Sequence, residues 1–470
     1  MPANTAAIAS ARAFSYYLDR LLGARPEQFE RLAARLDHCF DLAEMTAFAD
    51  WPAFDSIDAL MPALRQLRAA VMARLITRDH AGLADLHEVV TTISALADFA
   101  VQQALPVARR SLAQFGDPIG EESGEVQQLI VIGMGKLGGF ELNVSSDIDL
   151  IFIYPEDGDT NGQRKTSNHE YFTRLGKELI RAINDLTYDG QVFRVDMRLR
   201  PNGDSGPLVC CFDMLENYFV TQGREWERYA WIKARVLLGE RWSELRNIAR
   251  PFVFRKYLDF GAINAMRELH AQIRREVARR DRANNVKLGP GGIREIEFIA
   301  QVFQLIRGGR DTALQVRPTL KVLALLPERG ILSAQAVEEL TAAYVFLRRL
   351  EHRLQYLDDA QTHDLPTKEA DQALIAAAVG CADYPALLAA LDAHRQVVSL
   401  HFDSVFGDPS EEDHSLGATW SNAKDIEATT AALGELGYRR PQLGAERLGT
   451  IHASPRYRQL PNNIKSRLDA

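Results

Sequence analysis

The stretch IVIGMGKLGGFELNVSSDIDLIFIY, at residues 130–154, joins two short β-branched runs through a glycine-rich loop. A β-branched run that ends in glycines is typical of a strand entering a tight turn, so a strand is predicted before the loop GMGKLGG at residues 133–139. The second run, DIDLIFIY, predicts another strand. Side chains two residues apart project from the same face of a strand, so Asp147 and Asp149 are expected to present their carboxylates together.

The paired aspartates and the loop predict a site for metal ions and phosphate. Two carboxylates held close together repel each other, and a bound Mg²⁺ or Mn²⁺ is the usual means of keeping both ionised. A glycine-rich loop lets backbone N–H groups approach a phosphate, although this loop matches neither the P-loop nor the Rossmann spacing. The alternatives are a strand end whose acids face water and a loop that serves only as a tight connection. The candidate phosphate-binding residues are Gly135, Lys136, Gly138, Gly139 and Ser146.

A second set of charged residues follows at residues 194–200, RVDMRLR. Alternation of charged and apolar residues predicts a strand here, with all the charged side chains on one face. Asp196 is the candidate third metal ligand, and Arg198 and Arg200 are candidate phosphate ligands because a planar guanidinium matches phosphate oxygens in pairs. The alternative is a cross-strand ladder of surface salt bridges. Residues 201–207, PNGDSGP, predict a turn after the strand.

Composition restricts the class of protein. At 470 residues with 46% apolar content, the chain is long enough for two or three packed cores. No stretch approaches the roughly 18 uninterrupted apolar residues of a membrane span, so no membrane association is expected. The net charge of −8, from 63 acidic and 55 basic residues, argues against a general nucleic-acid binder. Four cysteines without a CxxC pair fit a reducing compartment, so the protein is expected to be cytoplasmic.

Four regions follow from changes of pattern along the chain. Apolar positions recur at three- and four-residue steps in the first and third regions, whereas the second has strand-like runs around a helix-like segment. The fourth opens with a polar, turn-rich linker that leads to a helix. The expected fold class is α+β, with a helical N-terminal region at 1–118, a catalytic domain at 119–212, a helical lobe at 213–407, and a linker helix with the start of a connecting region at 408–470.

Three further patterns are less specific. The run KLGPGGIREIEF, at residues 287–298, predicts a turn opening a helix whose N-terminus faces a phosphate; the alternative is a turn whose acidic residues complement the helix dipole. The basic run from Arg274 to Arg282 is expected to be a solvated helix face. His352 and His363 have no metal-ligand partner at a telling spacing.

The glycine loop, the Ser146-Asp147-Ile148-Asp149 core and the later Asp196 resemble the nucleotidyltransferase superfold that DNA polymerase β shares with antibiotic nucleotidyltransferases. The resemblance implies a polymerase β-like catalytic domain embedded in a mainly helical protein. In that superfold the loop glycine is normally followed by serine, whereas here Gly135 is followed by Lys136. An ammonium is therefore expected in place of the usual hydroxyl contact to phosphate.

Four longer strings resemble the family of bifunctional glutamine synthetase adenylyltransferase/adenylyl-removing enzymes. They cover roughly residues 120–310 and are similar to the N-terminal, adenylyl-removing half of that family. The family has two catalytic units in tandem and this chain has one glycine-loop-plus-DxD unit, so a fragment with only the removing activity is expected. The strings are GMGKLGGFELNVSSDIDLIFIYPEDG, FRVDMRLRPNGDSGPLV, WERYAWIKARVL and KLGPGGIREIEFIAQVFQL.

The resemblance implies an activity, cofactors and partners. The implied reaction is phosphorolysis, in which inorganic phosphate attacks the phosphorus of an adenylyl-tyrosine in glutamine synthetase and releases ADP. Two Mg²⁺ ions, or Mn²⁺, would be held by Asp147, Asp149 and Asp196 and would act on the attacking and leaving oxygens. The implied partners are adenylylated glutamine synthetase and the uridylylated PII signalling protein, in the control of nitrogen assimilation. Two other functions stay open: a nucleotidyltransferase that adds AMP to a protein or small molecule, and a non-catalytic module that binds PII.

Overall fold

The structure is a computed structural model, and it describes residues 3–255, 284–406, 425–435, 438 and 440–458. The basic run from Arg274 to Arg282 and the predicted linker at 408–422 lie outside these residues, as does most of the chain end. The chain divides into two compact units, Met1–Phe402 and Asp403–Ala470.

The N-terminal part is helical, as predicted. The two longest helices carry aspartate or serine at the N-cap: Asp85 accepts a hydrogen bond from the N–H of Glu88, and Ser56 accepts one from Ala59. Such caps satisfy backbone donors that would otherwise be left without partners at a helix start. The helices are α1 (Ala3–Phe14), α2 (Tyr16–Ala24), α3 (Pro26–Arg35), α4 (Leu42–Ala47), α5 (Ile57–His80) and α6 (Leu86–Ser111).

A five-stranded mixed sheet follows. Strand β2 lies at its centre, with β1 antiparallel on one side and β3 and β4 parallel on the other; β5 pairs antiparallel with the far edge of β1. A parallel pair needs a crossover connection, and helix α8 between β2 and β3 provides it. The predicted strands at the start and end of residues 130–154 are confirmed. The elements are β1 (Ile130–Gly133), α7 (Gly135–Gly138), β2 (Asp147–Tyr154), α8 (Asn168–Asn184), β3 (Arg194–Asp196), β4 (Val209–Cys211) and β5 (Arg235–Leu238).

Helices dominate the remaining described residues. The predicted apolar stripe on α14 is confirmed, because Tyr344, Leu347, Leu350 and Leu354 are all buried. The first unit holds α9 (Phe212–Thr221), α10 (Glu225–Trp231), α11 (Trp242–Val253), α12 (Ile293–Arg307), α13 (Thr319–Leu325), α14 (Ala334–Tyr356), α15 (Glu369–Val379) and most of α16 (Tyr384–Phe406). The second unit holds α17 (Ile426–Glu435), α18 (Pro441–Ala453) and α19 (Pro455–Arg458). A mostly helical chain with a small mixed sheet fits the expected α+β class.

Two features differ from the sequence-based expectations. Strand β3 ends at Asp196, so the predicted strand through Arg200 was too long. The backbone N–H of Arg198 turns back to donate to an Asp196 carboxylate oxygen at 2.8 Å, and Asn202 adopts a left-handed φ of 61°. Alternation therefore stops at Asp196, because the chain leaves the sheet there. Strand β5 was not predicted; it falls within residues 213–407, which were expected to be helical.

The structure also bears on the expected reduced cysteines and on the expected absence of a membrane span. All four cysteines are free thiols. In the part of the chain that the structure describes, no single helix has the length and apolar character to cross a membrane, although the bent pair α15 and α16 meets that test jointly by length and composition.

Candidate active site

Three aspartates meet at one edge of the sheet. In the parallel pairing of β2 with β3, Asp149 is the register partner of Asp196, and Asp147 is the partner of Arg194. Partners in register point to the same face of a sheet. Asp147 and Asp149 are half-buried while Ile148 between them is fully buried, so the two carboxylates share the face opposite Ile148. The strand geometry therefore brings the sequence-predicted carboxylates to one place.

Mutual repulsion is evident at Asp149. Burial, followed by the nearby charges of Asp147 and Asp196, raises the pKa of Asp149 to about 7. A carboxylate whose ionisation is disfavoured by burial and by neighbouring negative charges is stabilised by a divalent cation, whose preferred ligands are oxygens. The chemistry of Asp147 and Asp149 thus fits a Mg²⁺ or Mn²⁺ ion.

Asp196 is engaged by an arginine. The Nε atom of Arg198 donates to one Asp196 oxygen at 2.8 Å and to the other at 3.0 Å. Burial alone would raise the pKa of Asp196, but the hydrogen bonds from Arg198 outweigh it and hold the pKa below its usual value. Among the described residues, no three His, Cys, Asp or Glu side chains already form a metal-ligand group. Arg198, whose side chain is 71% exposed, thus takes up part of the acceptor capacity of Asp196.

Gly135 gives the loop its close approach to Asp149. Its φ is +52°, and a Cβ atom built on it would lie 2.9 Å from a carboxylate oxygen of Asp149. The N–H of Met134 donates to the Asp149 carbonyl oxygen at 2.9 Å. Only glycine adopts this backbone conformation without strain and leaves the carboxylate room. The loop is therefore packed directly against the carboxylate pair.

The other two predicted loop glycines face away from that pair. A Cβ atom on Gly138 would overlap the carbonyl oxygen of Lys233, and one on Gly139 would lie 2.8 Å from a Glu141 carboxylate oxygen. Lys233 and Glu141 form a buried ion pair. The contacts of Gly138 and Gly139 match the alternative in which glycines serve a tight connection; a phosphate role for them stays a prediction.

Lys136 lies in the interior. Its ammonium nitrogen is 3.2 Å from Glu351, whose side chain is completely buried. Burial, together with the charges of Arg348 and Lys287, lowers the pKa of Lys136 to about 8, and the charge of Glu351 opposes this shift. A contact from Lys136 to phosphate stays a prediction, but the ammonium is already paired with a carboxylate.

The remaining predicted residues are divided between the site and the turn. Ser146 donates its hydroxyl to an Asp147 carboxylate oxygen at 3.2 Å, so it belongs to the site. Arg200 instead donates to the carbonyl oxygen of Met197 at 2.8 Å and lies 3.6 Å from Asp204. The guanidinium of Arg200 therefore stabilises the predicted PNGDSGP turn in this structure.

Gln361 is a site residue that sequence reasoning missed. Its Nε2 donates to an Asp147 carboxylate oxygen at 2.9 Å, and its Oε1 accepts from Nε of Arg194 at 3.1 Å. Another nitrogen of Arg194 donates to the carbonyl oxygen of Ser145 at 2.9 Å. Gln361 thus orients Asp147 from a segment 214 residues further along the chain. No local pattern marks a glutamine for this role.

Lys287 was not among the predicted site residues, although it opens the run at 287–298 that was predicted to face a phosphate or to carry acids at a helix start. It precedes the Gly-Pro-Gly-Gly turn, and its neighbour Val286 donates a backbone hydrogen bond to the carbonyl oxygen of His363 at 2.8 Å, two residues from Gln361. Its charge is near enough to Asp149 to lower the pKa of that carboxyl against the stronger opposing effects. The ammonium forms no hydrogen bond or ion pair with a described residue. It is therefore a cation whose charge acts on Asp149 and whose ammonium has no partner among the described residues.

The N-terminus of α12, predicted either to face a phosphate or to be complemented by acids, has the second arrangement. Glu295 accepts a hydrogen bond from the N–H of Gly291 at 3.1 Å, and a Cβ atom on Gly291 would overlap the backbone of Arg395. The predicted turn and helix are both present. The carboxylate of Glu295 lies at the N-terminus of α12, where a negative charge is favourable to the helix dipole.

A family model described as glutamate-ammonia ligase adenylyltransferase matches residues 5–248, and one described as GlnD PII-uridylyltransferase matches residues 267–406. Similar curated proteins are the bifunctional glutamine synthetase adenylyltransferase/adenylyl-removing enzymes of Chromobacterium violaceum, Aromatoleum aromaticum and Nitrosomonas europaea. They are 62%, 61% and 50% identical to this chain and cover 100%, 99% and 98% of it. The chain spans about half of their length, at 53%, 49% and 51%.

Proposed function

Because this chain belongs to the glutamate-ammonia ligase adenylyltransferase family, we propose that it acts on glutamine synthetase and removes AMP from an adenylylated tyrosine by phosphorolysis. A phosphate oxygen bonds to the phosphorus of the adenylyl group while the bond from phosphorus to the tyrosine oxygen breaks. The products are ADP and the free tyrosine, whose phenolate takes up a proton. The removing direction rests on the similarity of residues 120–310 to the N-terminal half of the family.

The register pairing of Asp149 with Asp196 is the observation that carries the proposal. It brings carboxylates from two strands beside a glycine loop, and Asp147 adds a third on the same face. Acids in this arrangement have little structural use, since burial and the charges of Asp147 and Asp196 raise the pKa of Asp149 in the folded protein. They are suited to holding cations against a phosphate. The mixed sheet with a crossover helix supports assigning a polymerase β-like nucleotidyltransferase fold to this region.

Two divalent ions, Mg²⁺ or Mn²⁺, held by Asp147, Asp149 and Asp196, would activate the attacking phosphate oxygen and stabilise the departing phenolate. The chain's own residues do the positioning. Gln361 fixes the orientation of Asp147 through its amide. Lys287 supplies a positive charge for phosphate oxygens, which is where charge neutralisation lowers the barrier to phosphoryl transfer.

Partners and location are part of the same proposal. The match of residues 267–406 to the GlnD PII-uridylyltransferase model supports regulation linked to PII, and we propose the uridylylated form as the partner. The net charge of −8 supports the absence of a nucleic-acid substrate. Free cysteines fit the reducing conditions of the cytoplasm.

The test uses the purified chain with adenylylated glutamine synthetase, Mg²⁺, phosphate and uridylylated PII, and follows ADP release. Asp149→Asn should lower the rate by at least about a thousandfold, because the removed charge holds the metal ions. Asp204→Asn is the matched control, since Asp204 lies in an exposed turn with a side chain 77% exposed. If the unaltered chain forms no ADP under these conditions, the proposed reaction is wrong.

Adenylyl transfer to unmodified glutamine synthetase is the second candidate, because the relatives carry both activities in their names. Labelled ATP distinguishes it: incorporation of label without phosphate would replace the phosphorolysis proposal. A module that only binds PII would form neither ADP nor labelled glutamine synthetase. Its affinity for PII would be the same in Asp149→Asn as in the unaltered chain.

A further inference from the structure

A cavity of about 320 Å³ lies on the same face of the sheet as the aspartates. Ile132 of β1 and Val236 of β5 are register partners and both line it. Ile132 also pairs with Ile151 of β2, two residues from Asp149. Register partners, and residues two apart on a strand, point to one face. The cavity therefore lies over β1 and β5, beside the strand that carries the proposed metal site.

The cavity combines an apolar floor with an exposed indole. Trp231 and Leu245 are buried at 5% and 4% exposure, whereas Trp242 at the start of α11 is 52% exposed. An exposed indole face can stack on the planar ring of a ligand. The volume lies at the lower end of the range for small-ligand sites, about 300–1,000 Å³.

Three arginines line the same cavity. Arg246 and Arg250 stand one turn apart on α11, so their side chains share a helix face, and Arg317 approaches from the segment before α13. None of the described lining residues is an aspartate or glutamate. Glu244, also on α11, is already paired with Arg241. The cavity thus gathers positive charge without a carboxylate to balance it.

The arginines lack acidic partners within the described structure. Neither the Arg246 side chain nor the Arg250 side chain forms a hydrogen bond or ion pair with a described residue. Arg317 donates Nε to the carbonyl oxygen of Ala234 at 2.7 Å. Burial, with the like charges of Arg235 and Arg246, lowers the pKa of Arg317. A group of guanidinium ions under mutual repulsion is stabilised when an anion binds between them.

We propose that this cavity binds a nucleoside phosphate, whose base stacks on Trp242 and whose phosphate is held by Arg246, Arg250 and Arg317. The ligand must carry both a planar ring and an anion, because the cavity offers an indole and guanidinium groups side by side. Such a ligand has two sources: the nucleotide portion of the reacting adenylylated tyrosine, and a free nucleotide that regulates the reaction. The binding step itself does not depend on the direction of the proposed reaction.

The binding test uses the full chain with Asp149→Asn and without Mg²⁺, so that the carboxylate site contributes little. Calorimetry with ADP should show binding, and Arg246→Gln with Arg250→Gln should weaken it about tenfold or more, through lost charge-assisted hydrogen bonds. Arg349→Gln, an exposed arginine outside the cavity, is the matched control and should bind as tightly as its parent. Unchanged ADP affinity in the double arginine variant would overturn the proposal.

Two further measurements test the base and identify the source. Trp242→Phe should abolish the change in tryptophan fluorescence on ADP addition, and inorganic phosphate should bind more weakly than ADP; equal affinities would overturn the stacking. If the ligand is the reacting nucleotide, the arginine variants lower kcat/KM for adenylylated glutamine synthetase. If it is a free regulator, they remove the effect of added nucleotide instead. Failure of the unaltered chain to form ADP would count against the proposed function alone, because the binding test does not require turnover.

Discussion

Lys136, in the glycine loop, holds its ammonium nitrogen 3.2 Å from a carboxylate oxygen of Glu351, a residue of α14 with no exposed side chain. Glu351 also lies 2.7 Å from Nδ1 of His363 and 3.2 Å from Nε of Arg348. Burial alone would raise the pKa of Glu351, but the charge of Lys136, the hydrogen bond with His363 and the charge of Arg348 hold that pKa well below its usual value. The loop beside the proposed metal site is thus joined by buried charges to the helical lobe.

Breaking this pair should be costly to stability. Lys136→Met should lower the free energy of unfolding by about 3 kcal/mol, since it removes one of the buried positive charges that offset the charge of Glu351. Urea denaturation measures the change, with Lys177→Met on the exposed face of α8 as control. Adding Glu351→Gln to Lys136→Met should recover part of the loss. Equal stabilities of the Lys136 and Lys177 variants would contradict a structural role for the pair.

Lys287 should serve catalysis more than stability. Lys287→Met should raise the KM for phosphate about tenfold, through loss of one charge-assisted contact, while Lys287→Arg retains part of the effect. The free energy of unfolding should change by less than about 1 kcal/mol, because the ammonium has no partner in the described structure to lose. Steady-state ADP formation at varied phosphate concentration measures the effect. Lys321→Met, exposed on α13, is the control, and a KM shift as large there would rule out a specific contact.

Gly135 can be tested against a glycine with the same backbone conformation. Gly135 and Gly330 have φ values of +52° and +62°, but only Gly135 has a neighbour within 4 Å of an added Cβ atom, the Asp149 carboxylate. Alanine at either position should cost about 1 kcal/mol of stability from backbone strain. Only Gly135→Ala should also lower kcat, by displacing Asp149. Equal activities of the two alanine variants would show that the close approach does not matter for the reaction.

His352 should make the protein sensitive to acid. Burial, then the charge of Arg348, lowers the pKa of His352 to about 3. Between pH 6.5 and 3 the unfolded chain binds a proton that the folded chain excludes, so stability is lost as the pH falls. From pH 7.5 to 5 this group should cost about 2 kcal/mol. His352→Gln should remove that part of the loss in urea denaturation at the two pH values, and His87→Gln, at an exposed position, should not.

Metal binding can be measured without turnover. Mg²⁺ at about a hundred times its dissociation constant should raise the free energy of unfolding by about 2.7 kcal/mol, because only the folded chain assembles the ligands. The shift in thermal midpoint should vanish in Asp149→Asn and persist in Asp204→Asn. Without metal, Asp149→Asn should be more stable than the unaltered chain, since it relieves the repulsion from Asp147. If Mg²⁺ raises the thermal midpoint of Asp149→Asn as much as that of the unaltered chain, Asp149 is not a metal ligand.

The features that could be predicted from the sequence are those marked by a short periodicity of apolar residues within one helix or strand. The strand at Asp147–Tyr154 and the stripe on α14 appear as predicted, because alternation and a 3.6-residue period are imposed by backbone geometry within one element. The pairing of Asp147 and Asp149 on one face follows from the same two-residue period. The prediction that the strand continues to Arg200 was wrong, because a two-residue alternation of charged and apolar residues does not indicate where a turn ends the strand.

Residues far apart in the chain required the tertiary structure. Gln361 reaches Asp147, Glu351 reaches Lys136, and the charge of Lys287 acts on Asp149 only because the helical lobe packs against the loop and strand of the sheet. The sequence determined which residue types could bind metal and phosphate, through local spacing. Only the folded chain decided which cation is paired and which is free, because burial and long-range neighbours set the electrostatic environment of each charge.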